Sequence, residues 1–104
     1  MILWEVTLEI DRSAYDKFMS WNKKHVSEIM QATDFVNAVI LQPYEEDKNS
    51  KTFTIVIQYT LDKMESMDNY LRDVAPRFRQ EAADLFPGQI TASRKAYHIV
   101  ENLK

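Results

Sequence analysis

Apolar and polar residues alternate strictly at the start of the chain. Ile2, Trp4, Val6, Leu8 and Ile10 share one face, and Leu3, Glu5, Thr7 and Glu9 share the other. A period of two predicts a strand from Ile2 to Ile10, with the apolar row lying under covering helices. After a turn at Asp11-Arg12 the period lengthens. Phe18, Trp21, His25 and Ile29 recur at threes and fours, and Met19, Val26 and Met30 widen the stripe, which is the pattern of an amphipathic helix. Ser13 is its expected N-cap, with Asp16 three residues on. The helix is expected to fray near Thr33-Asp34. A second strand follows from Phe35 to Leu41, closed by Pro43.

The same sequence of periods then repeats. Glu45 to Lys51 is charged and polar and reads as a solvated loop between strands. A third strand spans Thr52 to Thr60, with Phe53, Ile55, Ile57 and Tyr59 in one row and Thr54, Val56 and Gln58 in the other. Asp62 and Glu65 form an expected capping pair. The second helix carries Met64, Met67, Leu71, Val74, Phe78 and Leu85. Pro76 removes a backbone donor within it and predicts a kink or restart. Pro87-Gly88 ends it, and a last strand runs from Ile90 to Val100. Two strand–helix–strand units, Ile2 to Tyr44 and Thr52 to Val100, predict an α+β ferredoxin-like βαββαβ sandwich. Its antiparallel sheet takes the order 4-1-3-2.

Length and composition narrow the classes. The 104 residues fit one domain over 1–104. There is no cysteine, which removes disulfides, thiolate metal sites and cysteine nucleophiles. One glycine cannot build a Gly-rich phosphate loop. The net charge of -3 argues against a nucleic-acid partner, which calls for a basic face. The segment Met1 to Glu5 has no basic region, no apolar run reaches the length of a membrane span, and a cytoplasmic location is expected.

With helices on one face only, the opposite face of the sheet decides how function is read. Glu5, Thr7 and Gln58 beside Leu3 and Val56 are too polar for a dry core and too apolar for a fully solvated surface. Pairing two such sheets would cover this row and enclose a cavity with a few polar groups, a composition common in small-molecule sites.

Several segments, taken in order, resemble the dimeric α+β barrel superfamily. They are Ile2-Leu3-Trp4-Glu5-Val6-Thr7, Trp21-x-x-x-His25-Val26, Thr54-Ile55-Val56-Ile57-Gln58-Tyr59, Ala75-Pro76-x-x-Arg79 and the strand holding Arg94. More narrowly, they resemble a small bacterial family of unknown function within it. The resemblance implies ferredoxin-like subunits that pair through their sheets as a homodimer. Haem-degrading relatives place an asparagine on the first strand, where this chain has Glu5, Thr7 and Glu9. Cofactor-free oxygenases of the superfamily surround a polycyclic phenol with Trp, Asn, Tyr or Arg groups, types that Trp21, Asn22, Tyr97 and Arg94 supply.

His25 is the sharpest candidate for chemistry, one turn after Trp21 on the apolar stripe, where a histidine can serve as acid or base. The competing reading is a boundary histidine bonded to a backbone carbonyl or to Glu28. His25 and Glu28 alone are too few to ligate a metal, and none is expected, nor is a cofactor. Trp4 and Trp21 could stack on an aromatic ligand or serve as core. Glu5 and Glu9 could supply a general acid if buried together. The expected ligand-binding set is Trp21, His25, Glu5, Thr7, Gln58 and Arg94, taking a small apolar or aromatic molecule. The preferred function is a non-catalytic small-molecule-binding or interaction module that acts as a sheet-to-sheet homodimer. The alternative is a cofactor-independent monooxygenase- or isomerase-like enzyme on a small aromatic substrate. In that case His25 is the base, with Glu5, Gln58 or Arg94 orienting substrate.

Overall fold

A computed structural model describes all 104 residues. Strand β1 (Ile2–Asp11) leads through a 3-10 turn (Arg12–Ala14) into helix α1 (Tyr15–Ala32). Strands β2 (Asn37–Leu41) and β3 (Thr52–Leu61) follow, then helices α2 (Met64–Asp73) and α3 (Ala75–Leu85) and strand β4 (Ile90–His98). The four strands form one antiparallel sheet in the order β2-β3-β1-β4, which is the ferredoxin-like βαββαβ arrangement that the alternating pattern predicts.

Register follows from the alternation, because a slip of one residue would turn the apolar row to the wrong face. Trp4 sits opposite Tyr59 and Val6 opposite Ile57, while Glu5 sits opposite Gln58. Trp4, Val6, Ile10, Phe53, Ile55 and Ile57 are buried beneath the helices. The helices contribute Phe18, Val26, Ile29, Met67, Tyr70 and Phe78 to the same core. Leu3, Glu5, Thr7, Thr54, Val56 and Gln58 remain half-buried on the side that carries no helix, hereafter the open face.

The cap assignments are corrected. Asp11 caps the 3-10 turn, its carboxylate accepting the backbone N–H of Ser13 at 3.3 Å, and α1 itself begins after Ala14 with no side-chain cap. The three-residue 3-10 turn moves the α-helical start to Tyr15, so Ser13 lies too early to cap it. Lys63 precedes α2 with no side-chain cap, so Asp62 and Glu65 form no capping pair. Pro76 acts as expected. The second helical segment breaks at Val74 into α2 and α3, with the proline in the first turn of α3, where its missing N–H costs nothing. Gly88 adopts φ 68°, in the left-handed region, and turns the chain from α3 into β4.

The charged loop before β3 is anchored rather than free. Arg12 donates to the carbonyls of Ser50, Asp47 and Thr52 at 2.9–3.1 Å and pairs with Glu46 at 3.1 Å. No helix is long and apolar enough to cross a membrane.

Candidate functional site

β4 is an edge strand, and small residues weaken its cover. Its helix-facing row includes Ala92, opposite Leu8, and Arg94, opposite Val6. α3 faces this region with Ala82 and Ala83. Short side chains on both walls leave a cavity of about 320 Å³ between the helices and the sheet, at the lower end of the range for small-molecule sites. Its walls are largely aromatic, from Trp4, Phe18, Trp21, Phe78 and Phe86. Both tryptophans of the chain line it.

The polar groups are few. α1 presents Asn22 and His25. Asn22 occupies the buried stripe, four residues from both Phe18 and Val26, and is only 1% exposed. Its Oδ1 has no hydrogen-bond partner, and neither has Nδ1 of His25. A buried polar atom without a partner costs about 1–3 kcal/mol, so two of them on one cavity wall are a feature to be explained. The His25 ring stacks on Trp21, with centroids 4.3 Å apart and 16° between planes, and meets Phe78 edge-on at 5.0 Å. Burial lowers its pKa to about 4, although the charge of Glu81 acts in the opposite direction. The ring is therefore neutral near pH 7. Trp21 is fixed by its indole N–H, which donates to Glu81 at 2.9 Å.

Two tyrosines and two arginines complete the lining. Burial raises the pKa of Tyr59, and the neighbouring Tyr70 raises it further. Tyr70 is also raised by burial, against the opposing charges of Arg79 and Arg94. Arg94 is lowered by desolvation and then by Arg79. Arg79 and Arg94 are exposed residues at the rim.

Of the six residues expected to share a site, the structure brings Trp21, His25 and Arg94 together in this cavity. Glu5, Thr7 and Gln58 lie across the sheet on the open face. There Gln58 donates to Glu5 at 2.9 Å, and Thr54 donates to Glu9 at 2.7 Å. Glu5 and His25 therefore share no pocket within the subunit. On the neighbouring strand β4, Lys95 sits opposite Glu5. His25 is bonded neither to a backbone carbonyl nor to Glu28, whose carboxylate lies 3.9 Å from Lys24. No group of three or more His, Cys, Asp or Glu side chains is placed to hold a metal. Tyr70 and Arg79 were not among the expected site residues. Asn22 enters the sequence reading only as a residue type. A buried-stripe asparagine and the Ala82-Ala83 pair were the signals that could have found the cavity.

The sheet order and the helices on one face define a ferredoxin-like α+β subunit, here with a cavity between sheet and helices. A family model described as a domain of unknown function, DUF4286, matches residues 1–100, and the chain belongs to that family. No curated protein matches the chain. Among solved structures it is similar to a dimeric ferredoxin-like protein from an uncultured marine organism. That match has 12% identity and a TM-score of 0.69, covering 100% of this chain and 99% of that one. It is also similar to SnoaB, a cofactor-independent oxygenase from Streptomyces nogalater, at 14% identity and a TM-score of 0.69, covering 98% and 96%. A third, At3g17210 from Arabidopsis thaliana, shares 11% identity with a TM-score of 0.68, covering 98% and 99%. At these identities the likeness is one of fold.

Proposed function

We propose that the protein is a non-catalytic small-molecule-binding module that works as a homodimer paired through its open sheet faces. The binding reading is carried by the cavity: aromatic walls around two buried polar atoms, Asn22 Oδ1 and His25 Nδ1, that the protein itself leaves unbonded. A bound molecule with matching polar groups would satisfy them. Catalysis would need converging groups, whereas no carboxylate is bonded to His25 and the oxygenase likeness is one of fold. A fragment library screened by ligand-observed NMR tests the reading. Binders to the native chain should lose their signal with Ala82→Phe, which adds a ring at a lining position. Fragments that bind both proteins equally would place the binding elsewhere.

The dimer reading rests on the composition of the open face. Leu3 and Tyr97 stand opposite each other, as do Val56 and Leu41, and Val39 lies beside them, opposite Gln58. Val39, Leu41 and Tyr97 are 43%, 37% and 41% exposed, large fractions for apolar side chains. The carboxylates among them are already hydrogen-bonded, by Gln58 to Glu5 and by Thr54 to Glu9, which lowers the cost of covering the face. A second copy offers the same mixture of apolar and hydrogen-bonded polar side chains, and one of the similar structures is described as dimeric. Light scattering at micromolar concentration should give twice the subunit mass, and Val56→Glu should return it to the monomer mass. A native chain that scatters as a monomer would refute the dimer.

A further inference from the structure

Two cationic side chains on the cavity form no ion pair within the chain. Arg79 on α3 and Arg94 on β4 both line the cavity. The ion pairs of the protein are Arg12–Glu46, Lys24–Glu28, Lys63–Glu65 and Arg72–Asp73, so neither lining arginine has a carboxylate within reach. Both instead act on the Tyr70 phenol, and Arg79 adds to the desolvation that lowers Arg94. Two arginines on the rim of one cavity offer it positive charge, and the planar fork of a guanidinium suits a carboxylate. A carboxylate beside the wall, Glu81, is held by the Trp21 indole and acts on His25. Inside the rim lie aromatic rings and the unbonded amide oxygen of Asn22, which is 1% exposed.

We infer that the ligand is a small amphipathic anion: a carboxylate held between Arg79 and Arg94, an aromatic or aliphatic body against Trp4, Trp21 and Phe78, and, where present, a donor group reaching Asn22. This rests on the binding reading above and narrows it to a chemical class. A free acid of this shape is the product of ester, amide or thioester hydrolysis, or of aldehyde oxidation, so a reaction of one of those classes would supply it.

The test uses the two tryptophans as reporters of occupancy. Benzoate, 3-phenylpropionate, 4-phenylbutyrate and octanoate are titrated against Trp emission, each beside its primary amide. At least one acid should bind about tenfold or more tightly than its amide, the difference expected for a charge-assisted contact. Arg79→Gln and Arg94→Gln should each erase most of that preference while leaving amide binding in place. Arg94→Lys should keep part of it. Arg72→Gln, which removes a like charge outside the cavity, should leave it intact. Melting curves check that each variant folds. Equal binding of acids and amides, or a preference untouched by both glutamine variants, overturns the anion proposal while the binding reading stands. Silence from every acid and amide overturns both.

Discussion

Between pH 6.5 and 4 the protein loses on the order of 2 kcal/mol of folding stability through His25 alone. Burial places the folded pKa at about 4, below the ordinary value of 6.5. In that window the unfolded chain binds a proton that the native chain refuses, so acid favours unfolding. The loss is absent above pH 6.5 and complete below about 4. The full shift corresponds to roughly 3 kcal/mol, and solvent screening of a ring that is not fully enclosed reduces it. His25→Phe keeps a ring against Trp21 and removes the titration. Urea midpoints near neutral pH and near the lower end of the window, measured on both proteins, should show a larger acid decrement for the native chain. The carboxylates common to both cancel in the difference. At neutral pH the variant should lie within about 1 kcal/mol of the native chain, because it also removes an unbonded buried nitrogen. Equal decrements would mean that His25 is solvated in the native state.

Trp4→Ala should cost about 3–5 kcal/mol, a large share of the roughly 5–15 kcal/mol that holds a domain together. Trp4 is 4% exposed. It stacks on Tyr59 at 5.5 Å and meets Tyr70 and Phe35 edge-on at 5.2 and 6.3 Å. No neighbour can collapse into its place without breaking those contacts. Thr7→Ala, on the same strand but the open face, should change stability by about 0.5 kcal/mol or less in the isolated subunit. A similar small cost at both positions, read by denaturant unfolding, would mean that the register of β1 is wrong.

Such contrasts show what the sequence makes legible. Strict alternation in β1 and β3 leaves one register that buries Trp4, Ile55 and Ile57 together, so the covered face can be read directly, while the sheet order follows from the two strand–helix–strand units. Pro76 marks its break because a missing N–H is tolerated only in a first helical turn. Caps are less legible. Ser13 and Asp62 are good capping types, but a three-residue 3-10 turn and an extended Lys63 shift the true helix starts past them. The side of the sheet on which a cavity forms is harder still. Polar residues on β1 and β3 suggest a wet pocket, yet Glu5 and Glu9 are bonded by Gln58 and Thr54 across the strands. The space opens where residues are small, at Ala82, Ala83 and Ala92, which alternation counts simply as apolar. Its polar groups come from a helix stripe and an edge strand that only tertiary structure brings together.

Backbone amide shifts on addition of the tightest-binding fragment test the central claim most directly. If the cavity beneath the helices is the binding site, shifts should concentrate at Asn22, His25, Ala82 and Arg94 and at the Trp21 indole N–H. Shifts confined to Glu5, Thr7 and Gln58 would put the ligand on the open face and contradict it.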